Sequence, residues 1–100
     1  MILEIADIRI HPGRQAEFEQ AITKATEVVL PKAKGVHGFK VNRCIESPER
    51  YVLQIFWETL EDHTVRFRGS EDFTVWRSLV GQFFAAPPSV SHVETTFQPF

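Results

Sequence analysis

The sequence predicts an α+β domain of βαββαβ order: a ferredoxin-like four-stranded antiparallel sheet with both helices on one face. Three observations carry that expectation. Four short segments hold apolar residues at period two or in unbroken runs, as strands do. Two longer segments hold them three and four residues apart, as amphipathic helices do. The segments follow one another in the order of a split βαβ arrangement. At 100 residues, a single domain spanning 1–100 is expected.

Residues 2–10 read as the first strand, with Ile2, Leu3, Ile5, Ala6, Ile8 and Ile10 apolar on both parities. His11-Pro12-Gly13 breaks it, and proline suits the start of a helix. Phe18, Ala21, Ile22, Ala25, Val28 and Val29 then mark one helical face, and Pro31 ends it. "PKAKGVHG" reads as a loop. Phe39, Val41, Arg43 and Ile45 alternate with Lys40, Asn42, Cys44 and Glu46 in a second strand. "SPER" is a turn. The third strand, residues 51–57, is apolar on both faces apart from Gln54. Thr59 and Asp62 have the spacing of a capping box at the start of a helix. That helical region runs from about Leu60 to Val80 and is broken at Gly69-Ser70, where Ser70 starts it afresh with Glu71 and Asp72 behind it. Phe73, Trp76, Val80 and Phe83 form its apolar stripe, "AAPPS" stops it, and residues 90–97 read as the last strand.

One feature does not suit a monomer. Strands 1 and 3 are apolar on both faces, yet helices cover one face only, and a sheet with one wet face should alternate. A second copy of the same face is the simplest cover, so a homodimer through the sheet faces is expected.

Bulk properties narrow the function. Hydrophobic residues make up 43% and charged residues 24%, with net charge −2. That is ordinary for a globular protein, and no basic run points to nucleic acid. No segment approaches the ~18 apolar residues of a membrane span. "MILEIADIRI" lacks the charged leader and cleavage site of a secretory signal. The single cysteine, Cys44, cannot form an intrachain disulfide. A cytoplasmic location is expected.

Three stretches, "EIADIRIHPG", "YVLQIFWETLEDHTVRFRGSEDF" and "VWRSLVGQFFAAPPSVSHVE", resemble the antibiotic biosynthesis monooxygenase family and span nearly the whole chain. The middle one is the most specific: an aromatic strand, Trp57-Glu58, a histidine at the next helix start, then Ser70 and Phe73. The resemblance implies a dimeric α+β barrel with one cavity per subunit between helices and sheet. It does not imply one reaction, because the family includes cofactor-free oxygenases of polyphenols and quinols, haem-degrading enzymes and isomerase-like proteins. The haem-degrading branch uses an asparagine, a tryptophan and a haem-ligating histidine. Their positions fall on Ala6, Phe67 and Arg77, none of which matches.

The chemistry of cofactor-free oxygenation needs little from a protein. A deprotonated phenol, anthrone or quinol can itself reduce O₂. The site must hold a flat ring, take or share a proton, and exclude water. His63 is the candidate catalytic base. On a 3.6-residue period it shares a stripe with Leu60 and Phe67, and both burial and a helix N-terminus favour its neutral ring. The alternative is a buried histidine that holds the helix start by hydrogen bonding. Candidate substrate contacts are Trp57, Phe67 and Trp76 by stacking and Arg66 by charge, with His92 on the last strand; Arg77 is a further guanidinium of the same kind. Against these stand core or dimer packing for the aromatics and solvation for the arginines. For His92, cavity and dimer partner are both open. His37 reads as a loop residue and His11 as exposed.

Other chemistries find no motif. The four histidines are scattered with no H-E-x-x-H, and there is no cysteine cluster, so no metal is expected. The glycines form neither G-x-G-x-x-G nor a P-loop, so no flavin or nucleotide cofactor is expected. Ser70 and Ser78 lack a nucleophile elbow. Glu58, Glu61 and Asp62 are explained by a helix start. Two functions lead: a monooxygenase, free of flavin, haem and metal, that oxidises a small aromatic, phenolic or quinol-like compound with O₂; or a non-catalytic dimer that binds a small ligand or accompanies an enzyme. A cofactor-free isomerase is the third.

Overall fold

The computed structural model describes residues 1–99. Strands β1 (Ile2–Arg9), β2 (Val36–Arg43), β3 (Arg50–Trp57) and β4 (Ser89–Val93) form one sheet in the order β2-β3-β1-β4. All pairings are antiparallel. Helices α1 (Gln15–Val29) and α2 (Glu71–Val80) lie on one face, and a π-helical segment, Asp62–Phe67, follows β3. The predicted βαββαβ order and fold class are what the structure shows. The body is a slab with principal extents of 36, 35 and 21 Å.

Alternation decides what each face of the sheet carries. On β1, Glu4, Ala6 and Ile8 are buried toward the helices. Across the ladder they meet Ile55, Leu53 and Tyr51 of β3, also buried. Phe18, Ile22, Ala25 and Val29 of α1 and Val80 of α2 close the core from above. Phe18 packs against Tyr51, with ring centroids 4.8 Å apart. The Tyr51 hydroxyl donates to Glu19 at 2.6 Å, which ties β3 to α1. Each such apolar side chain stabilises the fold by about 1.5–3 kcal/mol.

Among the described residues nothing covers the other face. It carries Leu3, Ile5 and Val52, which are half-buried, and Phe56 and Val93, which are 38% and 43% exposed. Asp7 and Arg50 form an ion pair at 2.7 Å on the same face, and Asn42 donates to Gln54 at 3.1 Å.

Element boundaries differ from the expectation in three places. β2 begins at Val36, inside the presumed loop, and ends at Arg43 rather than beyond Ile45. The Cys44 amide donates to the Arg50 carbonyl at 2.9 Å and closes the hairpin, so Ile45 sits 90% exposed at its tip. A bulge between Val36 and Gly38 gives β2 one extra residue, His37, whose ring reaches Glu58 at 2.5 Å. β4 ends at Val93 rather than residue 97, because its partner β1 has nearly run out where Val93 pairs with Leu3. Ile10 lies past the end of β1 and makes an isolated bridge to Phe84.

The break at Gly69-Ser70 is present, and the Ser70 hydroxyl accepts the Phe73 amide hydrogen at 3.3 Å as the N-cap of α2. The preceding turn is different. The Arg68 amide donates to the carbonyl of His63, five residues back, at 3.1 Å, the wide spacing of a π-helix. Half of the expected capping box forms: the Asp62 amide donates to Thr59 Oγ1 at 3.1 Å. The Asp62 carboxylate instead pairs with Arg66 at 3.4 Å and packs on Gly35, where an added Cβ would overlap it.

Candidate active site

Between the sheet and α2 lies a cavity of about 580 Å³. Its walls are mostly apolar: Ala6, Ile8, Leu53 and Ile55 from the sheet, with Phe67, Phe73 and Trp76 from the helical side. Four ionisable side chains also reach it, namely Glu4, His63, Arg68 and Arg77. Such a shape, apolar with a few convergent polar groups, is that of a small-molecule site.

His63 sits on the wall and is 4% exposed. The widened π-turn carries it over the end of β3, where its ring stacks on Trp57 with centroids 5.0 Å apart and planes 16° apart. Its Nδ1 is 2.7 Å from Nε2 of His92. Its Nε2 is 3.4 Å from Oε1 of Glu4. Burial, then the Arg68 charge, then His92 push its pKa down to about 4. The ring is therefore neutral at pH 7, and burial, one of the two causes expected from the sequence, is the main one; the neighbouring Arg68 charge, rather than the helix terminus, adds to it. It also titrates well below neutrality.

Glu4 and Arg68 are the two ionisable cavity residues that sequence reading missed; Glu4 is the one beside His63. It is 5% exposed, on the inward parity of β1. Directly across the sheet is His92 on β4. Its Oε1 accepts the Trp57 indole N–H at 2.9 Å. Burial raises its pKa; the Trp57 hydrogen bond and the Arg68 charge act the other way. Among the described residues no buried side-chain polar atom lacks a partner, and every polar contact found for Glu4 is made by Oε1. Oε2 takes part in neither contact, on a side chain that lines the cavity. A signal did exist: within the parity that holds Ala6, Ile8 and Ile10, Glu4 is the lone charge.

The other candidates divide. Phe67 and Trp76 line the cavity. His92 stands behind His63, half-buried on edge strand β4, where burial and Arg68 lower its pKa. Trp57 is fully buried and is absent from the cavity lining; it supports His63 by stacking and Glu4 by hydrogen bonding. Arg66 points to solvent, 60% exposed, in its pair with Asp62, because the wide turn rotates it away from the site. Arg68, two residues on, lines the cavity in its place, and so does Arg77. Neither Arg68 nor Arg77 makes an ion pair to a carboxylate among the described residues. The described residues contain no group of three or more His, Cys, Asp or Glu able to hold a metal ion, and no helix long and apolar enough to cross a membrane.

The sequence profile of the antibiotic biosynthesis monooxygenase family matches residues 1–79. YczJ of Bacillus subtilis, an uncharacterized protein, is 36% identical over 94% of this chain and 98% of its own length. A Bordetella bronchiseptica protein that carries the same family designation is 46% identical, with a TM-score of 0.91 over 96% of this chain and 97% of that one. SnoaB, a cofactor-independent oxygenase from Streptomyces nogalater, shares the fold at 13% identity, with a TM-score of 0.82 over 98% of this chain and 95% of its own.

Proposed function

We propose that this chain, which belongs to the antibiotic biosynthesis monooxygenase family, oxidises a small phenolic or quinol-like aromatic with O₂ and needs no flavin, haem or metal for it. The observation that carries the reading is the neutral His63 ring and buried Glu4 carboxyl together on the wall of an apolar cavity. A phenol held between Phe67, Phe73 and Trp76 would lose its proton to this pair. Arg68 and Arg77 would hold the resulting oxyanion by charge. The electron-rich anion can then reduce O₂ without a cofactor, while the apolar walls exclude water from the intermediates.

The working unit is a homodimer through the open sheet face. Half-exposed Phe56 and Val93 beside Leu3, Ile5 and Val52 support it, since an apolar patch of this kind marks an association surface.

The test is oxygen uptake by the purified, metal-free and flavin-free protein with a panel of naphthohydroquinones and anthrones. Catalysed uptake above the spontaneous rate is expected. Tight binding of these compounds with no uptake would overturn the monooxygenase reading in favour of a ligand-binding or accessory dimer, a role that the engagement of both His63 ring nitrogens also suits.

A further inference from the structure

The contacts of His63 raise a question that a lone base does not answer. Nδ1 is taken up by His92 and Nε2 faces Glu4, so neither ring nitrogen is free for a substrate. Three titratable groups instead stand in line, from the cavity to the edge strand of the sheet. Glu4 lines the cavity and has one oxygen outside its contacts with Trp57 and His63. His92 has its Nε2 on His63 and is half-buried at the edge.

We infer that Glu4, His63 and His92 form a proton wire, in which Glu4 exchanges protons with the substrate and the two imidazoles connect it to solvent. This rests on the oxygenase reading for the identity of the substrate, but the wire itself does not.

The hydrogen-bond roles allow two states. With Glu4 ionised, His63 carries its proton on Nε2, 3.4 Å from Oε1, a contact that must close to become a hydrogen bond, and His92 Nε2–H donates to His63 Nδ1. His92 Nδ1 is then bare toward the outside. With Glu4 protonated, every bond reverses. The carboxyl O–H donates to His63 Nε2, His63 Nδ1–H donates to His92 Nε2, and His92 Nδ1 carries the outermost proton.

Passing from the second state to the first moves three protons one step each. The Glu4 O–H bond breaks as His63 Nε2–H forms. The His63 Nδ1–H bond breaks as His92 Nε2–H forms. The His92 Nδ1 proton leaves to water. One proton departs, neither ring becomes charged at the end, and Glu4 is left ionised. It is then armed to take a phenolic proton, the carboxyl turning to present the new O–H to His63 Nε2 before the next step, and no water has entered the cavity. The reverse shift lets solvent reload the acid.

The groups around the wire act together on it. Trp57 from β3 donates to Oε1. The Arg68 charge favours the ionised carboxyl and disfavours either imidazolium. Arg77 of α2 faces the same cavity. Neutral imidazoles are what a chain of tautomer shifts requires, and both rings here have lowered pKa values.

The experiment needs no substrate. Protein labelled with ¹⁵N at histidine is titrated by NMR from pH 8 downward. Long-range ¹H–¹⁵N correlations report which ring nitrogen carries hydrogen. The wire requires His63 and His92 to exchange their protonated nitrogens in one shared pH step, at a pH above the ordinary glutamate value of 4.5. In Glu4→Gln the step should vanish, with His63 held in its Nε2–H form, because the amide oxygen that must stand where Oε1 accepts from Trp57 can only accept from Nε2 as well. Two rings with fixed tautomers until each becomes cationic would overturn the wire, on the unaltered protein alone. So would rings that switch at separate pH values, or a step that survives Glu4→Gln. A protein that passes this test yet consumes no oxygen with any quinol would keep the wire and lose the oxygenase reading.

Discussion

The imidazole of His63 lies nearly parallel to the indole of Trp57, the rings 5.0 Å apart with 16° between their planes. The same indole donates its N–H to Glu4. One buried side chain therefore fixes both partners of a 3.4 Å acid–imidazole contact. Trp57→Phe keeps an aromatic surface for the stack and removes the donor. Since that hydrogen bond lowers the Glu4 pKa, its loss should raise it further. We expect the pH midpoint of the tautomer step, and of any quinol turnover governed by Glu4, to move alkaline. Stability should fall by about 1–3 kcal/mol for the buried acceptor left with one partner fewer. An unmoved midpoint in a folded variant would detach Trp57 from the site.

His63→Gln can still form hydrogen bonds but cannot change tautomer. If the ring handles the substrate's proton, the folded variant should lose about 10²–10⁴ of the quinol-dependent rate. Its melting temperature should stay within a few degrees of the parent's. Parent-level turnover in the folded variant would make His63 a purely structural residue.

The same ring makes folding depend on pH. Unfolded, His63 has its ordinary value of 6.5; folded, about 4. Above pH 6.5 neither state binds the proton. Between 6.5 and 4 the unfolded chain binds it and the folded chain does not, so stability drops and levels off near pH 4. The full effect is about 3 kcal/mol. Glu4 works in the opposite sense: its raised pKa lets the folded state take up a proton first as the pH falls toward 4.5. Thermal melts of the parent and of His63→Gln at matched pH cancel the Glu4 contribution. The parent's melting temperature relative to the variant's should fall steadily from pH 7.5 toward pH 4.

Gly35 adopts φ +88°, and a Cβ there would collide with the Asp62 carboxylate. Gly35→Ala combines the left-handed penalty of about 1–2 kcal/mol with displacement of the residue next to His63. We expect a total loss of about 2–4 kcal/mol in urea unfolding, with turnover falling as well. Gly13 has φ +82° but open space around it, so Gly13→Ala should cost the backbone penalty alone and leave activity intact.

On the open sheet face, Phe56→Glu puts a charge amid Leu3 and Val93. A face-to-face dimer of the obligate kind buries upwards of ~2,000 Å², and a charge at its centre should split it. Sedimentation should show the parent as a dimer at micromolar concentration and the variant shifted to monomer. A parent that sediments as a folded monomer would remove the sheet-face dimer.

Legibility in the sequence followed the range of the forces involved. Strand order, both helices and the Ser70 cap are written locally, in periodicity and in one hydroxyl beside a helix start. The neutral state of His63 was also readable, since an apolar stripe announces burial. Glu4 was not read, because β1 is apolar on both parities and hides which one faces inward. The π-turn was not read either. Its i→i+5 hydrogen bond leaves no period in side-chain chemistry, and it exchanges Arg66 for Arg68 on the cavity wall. The His63–His92 contact joins residues 29 apart in the chain, and it takes both the β1–β4 register and the turn after β3 to form it.

The slab dimensions carry a hydrodynamic consequence. A body 21 Å thick and about 36 Å across exposes much surface for its volume. Two slabs stacked on their open faces would be roughly 40 Å thick, nearly as tall as wide, and would tumble almost isotropically. Two slabs joined along the β2 or β4 edges would instead make a plate roughly twice as long as it is wide. Stacking thus gives the roundest particle that two copies can make, and it lets the chain bury its second apolar face without one additional residue.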